Sequence, residues 1–470
     1  MSKKIVIIGA GTGGYGAAFM AADLGMEVTL IDKNAKAGGV CLQRGCIPSK
    51  ALLHIAKLLN ETKEATHWGI QFGEPKIDVN RIREWKNEVI AHMTGGLGQL
   101  IKQRKINFIQ GTATFINSSK VKVEKNEGGA EELDFDYAVL ATGSIPAKVP
   151  SLDIGSKRVL DSTTALELED IPKKLLVVGG GYIGLELGTV YAALGSKVTV
   201  VEMTSGLLPG ADRDMVAILS KRVNSMMENV YLNTKVVDMK EVKNGLKVTF
   251  EGDKVEEKEQ TFDKVLVSVG RRPVTQGLGL ENTKIQIDDK GFVKVDSQRR
   301  TDDPNIFAVG DIVGNPMLAH KATAEGKVVA EVIAGHKVAF EPNAIPAVVF
   351  TDPELAWVGL NETEAKAKGI KIEVAKFPWA ASGRAKTLER LDGLTKLIIE
   401  PETERILGMG IVGAGAGELI AEGTLAVEMA ALAKDIALTI HAHPTLSETV
   451  MESAESYFGE ATHIYRPKRK

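Results

Sequence analysis

The chain opens on a short apolar run, Ile5-Val6-Ile7-Ile8, that stops abruptly at Gly9-Ala10-Gly11-Thr12-Gly13-Gly14. An unbroken apolar run of this length, bounded by glycine, predicts a strand buried on both faces, and the turn after it leads into a helix. The same pattern returns 170 positions later, where Leu175-Leu176-Val177-Val178 runs into Gly179-Gly180-Gly181-Tyr182-Ile183-Gly184. The offset then holds through the helix and a second strand, so that Leu24-Gly25-Met26-Glu27-Val28-Thr29-Leu30-Ile31-Asp32 matches Leu194-Gly195-Ser196-Lys197-Val198-Thr199-Val200-Val201-Glu202. Asp32 and Glu202 each fall 23 positions after the first glycine of their copy.

Both halves also close in a similar way. Lys120 to Val123, a turn at Gly128-Gly129 and Phe135 to Leu140 predict a hairpin-like unit running into Ala141-Thr142-Gly143. Its counterpart is Leu246 to Phe250, a turn at Gly252, and Lys264 to Val269 ending at Gly270. The first half is longer by 43 residues, and the surplus holds Cys41 to Lys50 and a helical stretch from Ala51 to Ala65. Further on, Asn305 to Asp311 is an apolar strand ending in glycine and a carboxylate, and a helix is expected from Ala319 to Ala334.

The chemistry explains the residue types. Gly9 and Gly179 permit a tight turn, Gly11 and Gly181 let the backbone approach a pyrophosphate, and Gly14 and Gly184 permit close helix–strand packing. Phosphates would rest on free N–H groups at the helix N-terminus. Asp32 and Glu202 would accept hydrogen bonds from ribose hydroxyls, and a carboxylate there repels a 2′-phosphate. One such glycine set also serves as a plain packing turn; two in register predict two dinucleotide sites.

Composition narrows the class. With 470 residues, 44% hydrophobic and 25% charged, the chain has room for three or four globular domains. A net charge of -3 and a pI near 6.3 give no electrostatic reason to expect nucleic acid or an anionic membrane. The basic cluster Arg466 to Lys470 reads as a solvated tail. No apolar run reaches the roughly 18 residues of a membrane span, and a strand starting at Ile5 leaves no room for a leader. A cytoplasmic, reducing setting is therefore expected, where a disulfide is catalytic or redox-sensing.

That expectation bears on Cys41 and Cys46, the only two cysteines. Their spacing is compatible with a working disulfide, with two buried thiols or with half a zinc site, although no matching Cys/His pair follows and no metal is expected. Ile47-Pro48-Ser49-Lys50 reads as a helix start, with proline tolerated in the first turn. A thiolate at Cys46 would lie near that positive helix end, which favours its charged form. Near the C-terminus, His443 stands five residues before Glu448, a spacing that serves either a structural contact or a general base with its orienting carboxylate.

Taken together, Gly38 to Lys50, Gly179 to Glu186, Gly270-Arg271-Arg272-Pro273, Gly310-Asp311, Met317 to Lys321 and His441 to Glu448 resemble the flavoprotein disulfide reductases over essentially the whole chain. The resemblance is to the branch of that family that oxidises dihydrolipoamide. It implies an α/β fold with two Rossmann-like dinucleotide-binding domains and a C-terminal α+β dimerisation domain. The expected division is residues 1–149 for FAD with the redox loop, 150–272 for NAD, 273–343 returning to the FAD and central region, and 344–470 for dimerisation.

By the same resemblance, FAD would be held by Gly9, Gly11, Gly14, Asp32, Lys50, Gly143, Asp311 and Ala319, and NAD by Gly179, Gly181, Gly184, Glu202 and Gly270. Cys46 would face the flavin as the charge-transfer thiolate, Cys41 would meet substrate, and Lys50 would pair with Glu186. His443, with Glu448, would act in the active site of a partner subunit, making a homodimer obligatory. His441 would support it, and His320 reads as a packing histidine. The implied reaction carries two electrons from protein-bound dihydrolipoamide to NAD+. The implied partners are the lipoyl domains and acyltransferase core of 2-oxo acid dehydrogenase complexes, such as the pyruvate dehydrogenase complex, or the glycine cleavage protein. Glu202-Met203-Thr204-Ser205-Gly206 offers no arginine for NADPH, and two cysteines are too few for mercuric reductase or the large thioredoxin reductases. Arg44 departs from the family, which usually carries a small apolar residue there; access, thiol tuning and simple exposure are all open readings.

Overall fold

The computed structural model describes residues 2–465, so the basic cluster from Arg466 to Lys470 lies outside the described residues. The opening apolar run forms the strand Lys4–Ile8, and its two faces are buried against different layers. Ile5 and Ile7 pack with Ala17, Ala18, Val329 and Ile333 from two helices on one side. Val6 and Ile8 pack with Ile31, Phe115, Leu140 and Ile306 on the other. With both faces covered, no position from Ile5 to Ile8 favours a polar side chain, which is why the run is continuous.

This strand sits within a seven-stranded sheet of order Ile306–Ala308, Tyr137–Leu140, Lys4–Ile8, Glu27–Asp32, Asn107–Asn117, Lys120–Lys125 and Ala130–Asp134. The first five run parallel and the last two fold back antiparallel. The second sheet, Asn229–Tyr231, Lys197–Val201, Lys174–Val178, Lys264–Val267 and Val159–Leu160, is wholly parallel. Its central register repeats the first: Lys4 pairs with Glu27, and Lys174 with Lys197.

The hairpins differ from the sequence expectation. In the first half the arm after Gly128-Gly129 is Ala130–Asp134; Tyr137–Leu140 leaves the hairpin and joins the parallel sheet beside Lys4–Ile8. In the second half Glu259–Phe262 is the return arm and Lys264–Val267 belongs to the parallel sheet. The cause is packing: Ala138, Val139 and Leu140 are buried in the central layers, whereas Ala130–Asp134 alternates between exposed and half-buried positions.

After Pro273 the chain returns to the first sheet through Ile306–Ala308, and the Ala319–Ala334 helix lies against the Thr12–Asp23 helix. A two-stranded ladder of Ser144–Pro146 and Arg271–Pro273 joins the ends of the two nucleotide-binding units. The C-terminal part is an antiparallel five-stranded sheet of order Ala347–Val349, Glu354–Gly359, Ile406–Gly413, Leu394–Ile399 and Glu373–Pro378. Helices Ala416–Glu428 and Glu448–Phe458 cover it around Trp379, Leu397 and Ile411. It is fixed to the second nucleotide-binding unit by the fully buried Lys396, whose Nζ lies 2.5 Å from Asp212, 2.8 Å from Asp214 and 2.8 Å from Glu362. The architecture is α/β with a C-terminal α+β part. Among the described residues no helix is long and apolar enough to cross a membrane.

Candidate active site

A cavity of about 540 Å³ opens where the first glycine turn, the cysteine segment and the second unit's first helix converge. The glycines of that turn divide by role. Gly9 has φ +103°, and a Cβ there would lie 2.3 Å from Ala141 O; one on Gly14 would lie 1.8 Å from Gly9 O. These two are required by the protein's own packing. A Cβ on Gly11 would meet nothing nearer than Gly39 Cα at 3.9 Å, and one on Gly181 would meet nothing within 4 Å. The middle glycine of each copy therefore faces open space at a helix N-terminus, beginning at Thr12 and Tyr182, which fits a pyrophosphate.

The repeat extends to individual hydrogen bonds. Ala10 N donates to Asp32 Oδ2 at 2.7 Å, and Gly180 N to Glu202 Oε2 at 2.7 Å. Asn34 N donates to Asp32 Oδ1 and Thr204 N to Glu202 Oε1, both at 2.8 Å. Each carboxylate is thus locked beside its glycine turn before any ligand arrives, and Thr204 Oγ1 adds a further bond to Glu202 at 2.8 Å. Gly9, Gly11, Asp32, Cys41, Cys46, Lys50, Gly143, Glu186, Asp311 and Ala319 border the cavity. Gly14, Gly179, Gly181, Gly184, Glu202 and Gly270 are not among the residues that border it.

The cysteines flank a break between two helices, Gly39–Arg44 and Cys46–Glu64. Cys46 is the first residue of the longer helix and opens into the cavity; Pro48 lies in its first turn. Both are free thiols hydrogen-bonded to one another. Cys46 is lowered to about 7, first by the Cys41 hydrogen bond and, against the cost of burial, by the Lys50 ammonium and its own backbone N–H. Cys41 is pushed far up by the same hydrogen bond and by burial. One proton is therefore held by Cys41 while Cys46 carries the charge.

Lys50 lies one turn along the same helix. Its Nζ is 2.8 Å from Glu186 Oε2 and 4.5 Å from the centre of the Phe350 ring. Glu186 is 3% exposed and also accepts from Ser49 Oγ at 3.0 Å and from Phe350 N at 3.0 Å. Three separate stretches of chain meet at this carboxylate. On the opposite wall, Asp311 accepts from Ser144 Oγ, which in turn accepts from Arg271 Nε at 2.7 Å. Ala319 opens the Ala319–Ala334 helix with its N-terminus at the cavity.

His443 Nδ1 lies 2.9 Å from Glu448 Oε1, and Thr445 N donates to the other carboxylate oxygen at 2.8 Å. Against the effect of burial, the Thr445 bond and then the imidazole hold Glu448 below the usual carboxylate range. The His443 side chain is 73% exposed and does not border the cavity of its own chain. His441 is satisfied by Glu422 and Thr439 O, both at 2.8 Å, and His320 by Pro346 O at 2.9 Å. Sequence reasoning missed Asn34, Ser49, Ser144 and Phe350. Each contributes through a partner distant in the chain or through one side-chain bond, and no local pattern marks it.

Comparison with known proteins agrees with this geometry. The family described as pyridine nucleotide-disulphide oxidoreductase matches residues 3–326, and its dimerisation domain matches residues 345–454. The dihydrolipoyl dehydrogenase of Vibrio cholerae is 49% identical over all of this chain and 99% of its own length; that of Haemophilus influenzae is 48% identical over the same shares. Among solved structures, LpdA from Mycobacterium tuberculosis is 28% identical with a TM-score of 0.90, covering 97% of this chain and 99% of its own. The HOCl-induced flavoprotein disulfide reductase RclA from Escherichia coli is 29% identical with a TM-score of 0.84, covering 95% and 98%. The chain belongs to the pyridine nucleotide-disulphide oxidoreductase family.

Proposed function

We propose that this protein is an NAD-dependent dehydrogenase that oxidises protein-bound dihydrolipoamide at Cys41 and Cys46. The observation that carries the reading is the pair of thiols itself, one acidic and one not, at the mouth of a helix beside a dinucleotide cradle. Close relatives named dihydrolipoyl dehydrogenase support the substrate. The cradle fits FAD, because Gly11 leaves a groove a pyrophosphate fills, Asp32 suits the ribose, and Asp311 suits a ribityl hydroxyl. Bound there, FAD would supply the two-electron exchange between the dithiol and NAD+. The second turn, with Gly181 and Glu202, suits NAD+ rather than NADP+.

The protein's own groups account for the thiol chemistry. In the oxidised form a substrate thiolate attacks the Cys41 sulfur, the Cys41–Cys46 bond breaks, and Cys46 leaves as a thiolate beside Lys50. The second substrate thiol then attacks the mixed disulfide at the lipoyl sulfur, releasing the cyclic disulfide and leaving the dithiol reduced. Of the two substrate protons one ends on Cys41, which leaves the mixed disulfide, and the other needs an acceptor, for which His443, oriented by Glu448, is the group suited. Because His443 stands outside its own chain's cavity, we assign the role to His443 of the partner subunit in a homodimer.

The same reading divides the chain at residues 149, 272 and 343, places it in the cytoplasm, and gives it the lipoyl domains and acyltransferase core of a 2-oxo acid dehydrogenase complex as partners. The test is anaerobic addition of dihydrolipoamide to the purified yellow protein, followed by NAD+ or NADP+. NADH should appear with NAD+ and little NADPH with NADP+; protein purified without flavin and unable to bind it would contradict the reading.

A further inference from the structure

Arg44 separates the two cysteines in sequence, yet its side chain bonds to Asn34, two residues after Asp32. It is the last residue of the Gly39–Arg44 helix, and its Nη2 donates to Asn34 Oδ1 at 3.4 Å. Asn34 is itself held to Asp32 by its backbone N at 2.8 Å and its Nδ2 at 2.7 Å. Arg44, Asn34, Asp32 and Gly11 all border the cavity. The guanidinium is thus tied, through Asn34, to the carboxylate that suits the adenosine ribose. The largest charge effects on Cys41 and Cys46 come from each other, Lys50, Asp311 and Glu186.

Two features leave that cation incomplete. Arg44 Nε is shielded from solvent and has no hydrogen-bond partner. Among the described residues no carboxylate forms an ion pair with Arg44. A guanidinium is always charged and offers five donors in a fixed fork, so one whose Nε is shielded and unpaired and that has no counter-ion leaves bonding capacity unused. A pyrophosphate supplies both the charge and the planar acceptors that a guanidinium matches well.

We propose that Arg44 is a specificity residue for the adenosine diphosphate half of FAD, held in place by Asn34 and paired with the pyrophosphate while Asp32 holds the ribose. The proposal rests on the FAD reading above. It accounts for a cationic residue in the redox loop without giving it any part in thiol chemistry, and it sets Arg44 and Asp32 as opposite charges serving adjacent groups of one ligand.

The test uses full-length protein stripped of flavin and retitrated with FAD, with flavin fluorescence as the signal, and with ADP as a competing ligand. Arg44→Val and the near-isosteric Arg44→Gln should each raise the FAD dissociation constant about 10- to 100-fold, as expected for a lost charged hydrogen bond. The loss should be larger at low salt than at high salt. ADP should lose affinity by a similar factor, and Arg44→Lys should restore most of the salt dependence. Dissociation constants for FAD and ADP within twofold of wild type in both neutral variants would overturn the proposal. So would a loss that is equal at both salts and unrecovered by lysine, since that marks packing alone. Failure of the stripped wild-type protein to bind FAD would sink the flavoprotein reading itself, and this proposal with it.

Discussion

Lys50 and Glu186 meet at 2.8 Å across the cavity, and the contact joins the helix that begins at Cys46 to the helix that begins behind the second glycine turn. Glu186 also receives Phe350 N from the C-terminal part, so one buried carboxylate ties together the thiol site, the second nucleotide-binding unit and the dimerisation region. The pair modulates Cys46, whose acidity owes most to the Cys41 hydrogen bond. Lys50 lowers that thiol, and Glu186 raises it.

The sign of this coupling gives a pH prediction. Cys46 is held at about 7, so its thiolate persists above that pH and is lost as pH falls through it. In reduced, flavin-free protein, thiolate ultraviolet absorbance should show one ionisation near 7, and the second should not occur in the accessible range. Lys50→Met should move the first midpoint up, toward the ordinary thiol value of about 8.5, and Glu186→Gln should move it down. Shifts of the same sign in both variants would contradict the arrangement.

The two kinds of glycine should separate cleanly. Gly14→Ala drives a methyl into Gly9 O, and the backbone cannot yield without opening the turn. We expect a loss of more than about 3 kcal/mol in unfolding free energy, or insoluble protein. Gly11→Ala meets only Gly39 Cα, at an ordinary contact distance of 3.9 Å, so it should unfold at nearly the wild-type temperature while losing FAD affinity at least tenfold. Differential scanning calorimetry with flavin titration distinguishes the two.

Coenzyme choice should follow Glu202. Its carboxylate is fixed by Gly180 N and Thr204, where on the proposed reading it would repel a 2′-phosphate. The kcat/KM ratio for NAD+ over NADP+ should be large in the wild type and fall at least tenfold in Glu202→Ala, mostly through weaker NAD+ use.

His443→Gln should lower dihydrolipoamide turnover by about 10²- to 10⁴-fold, the usual contribution of a general base. Binding of FAD and folding should be unaffected, because the side chain is 73% exposed and bonded within its own segment. If His443 serves the partner's thiols, mixed dimers of His443→Gln with Cys41→Ser should regain activity that neither parent has. Mixed dimers as inactive as the parents would place the base and the thiols within one chain.

Much of this was legible before the structure. The doubled strand–turn–helix could be read because strands buried on both faces leave no polar positions, and because Gly14 and Gly184 have no steric alternative. The pairing of Lys50 with Glu186 was legible only through resemblance, since nothing in its local sequence separates it from a surface lysine. The hairpin arms were misplaced because Tyr137–Leu140 is as apolar as a hairpin strand and only its partner, Lys4–Ile8, shows where it belongs. Ser144 and Phe350 act on residues more than a hundred positions away, and no local pattern records that. For Arg44 access, thiol tuning and exposure were all open from sequence, because nothing local shows that its guanidinium bonds to Asn34.

The central claim is that Cys41 and Cys46 carry electrons from substrate to the flavin site. Its most direct test is the rate of dihydrolipoamide-dependent NADH formation by Cys46→Ser, measured on protein whose visible spectrum shows a full complement of flavin. The account predicts a loss of at least a thousandfold with flavin retained; turnover near the wild-type rate in that variant would contradict it.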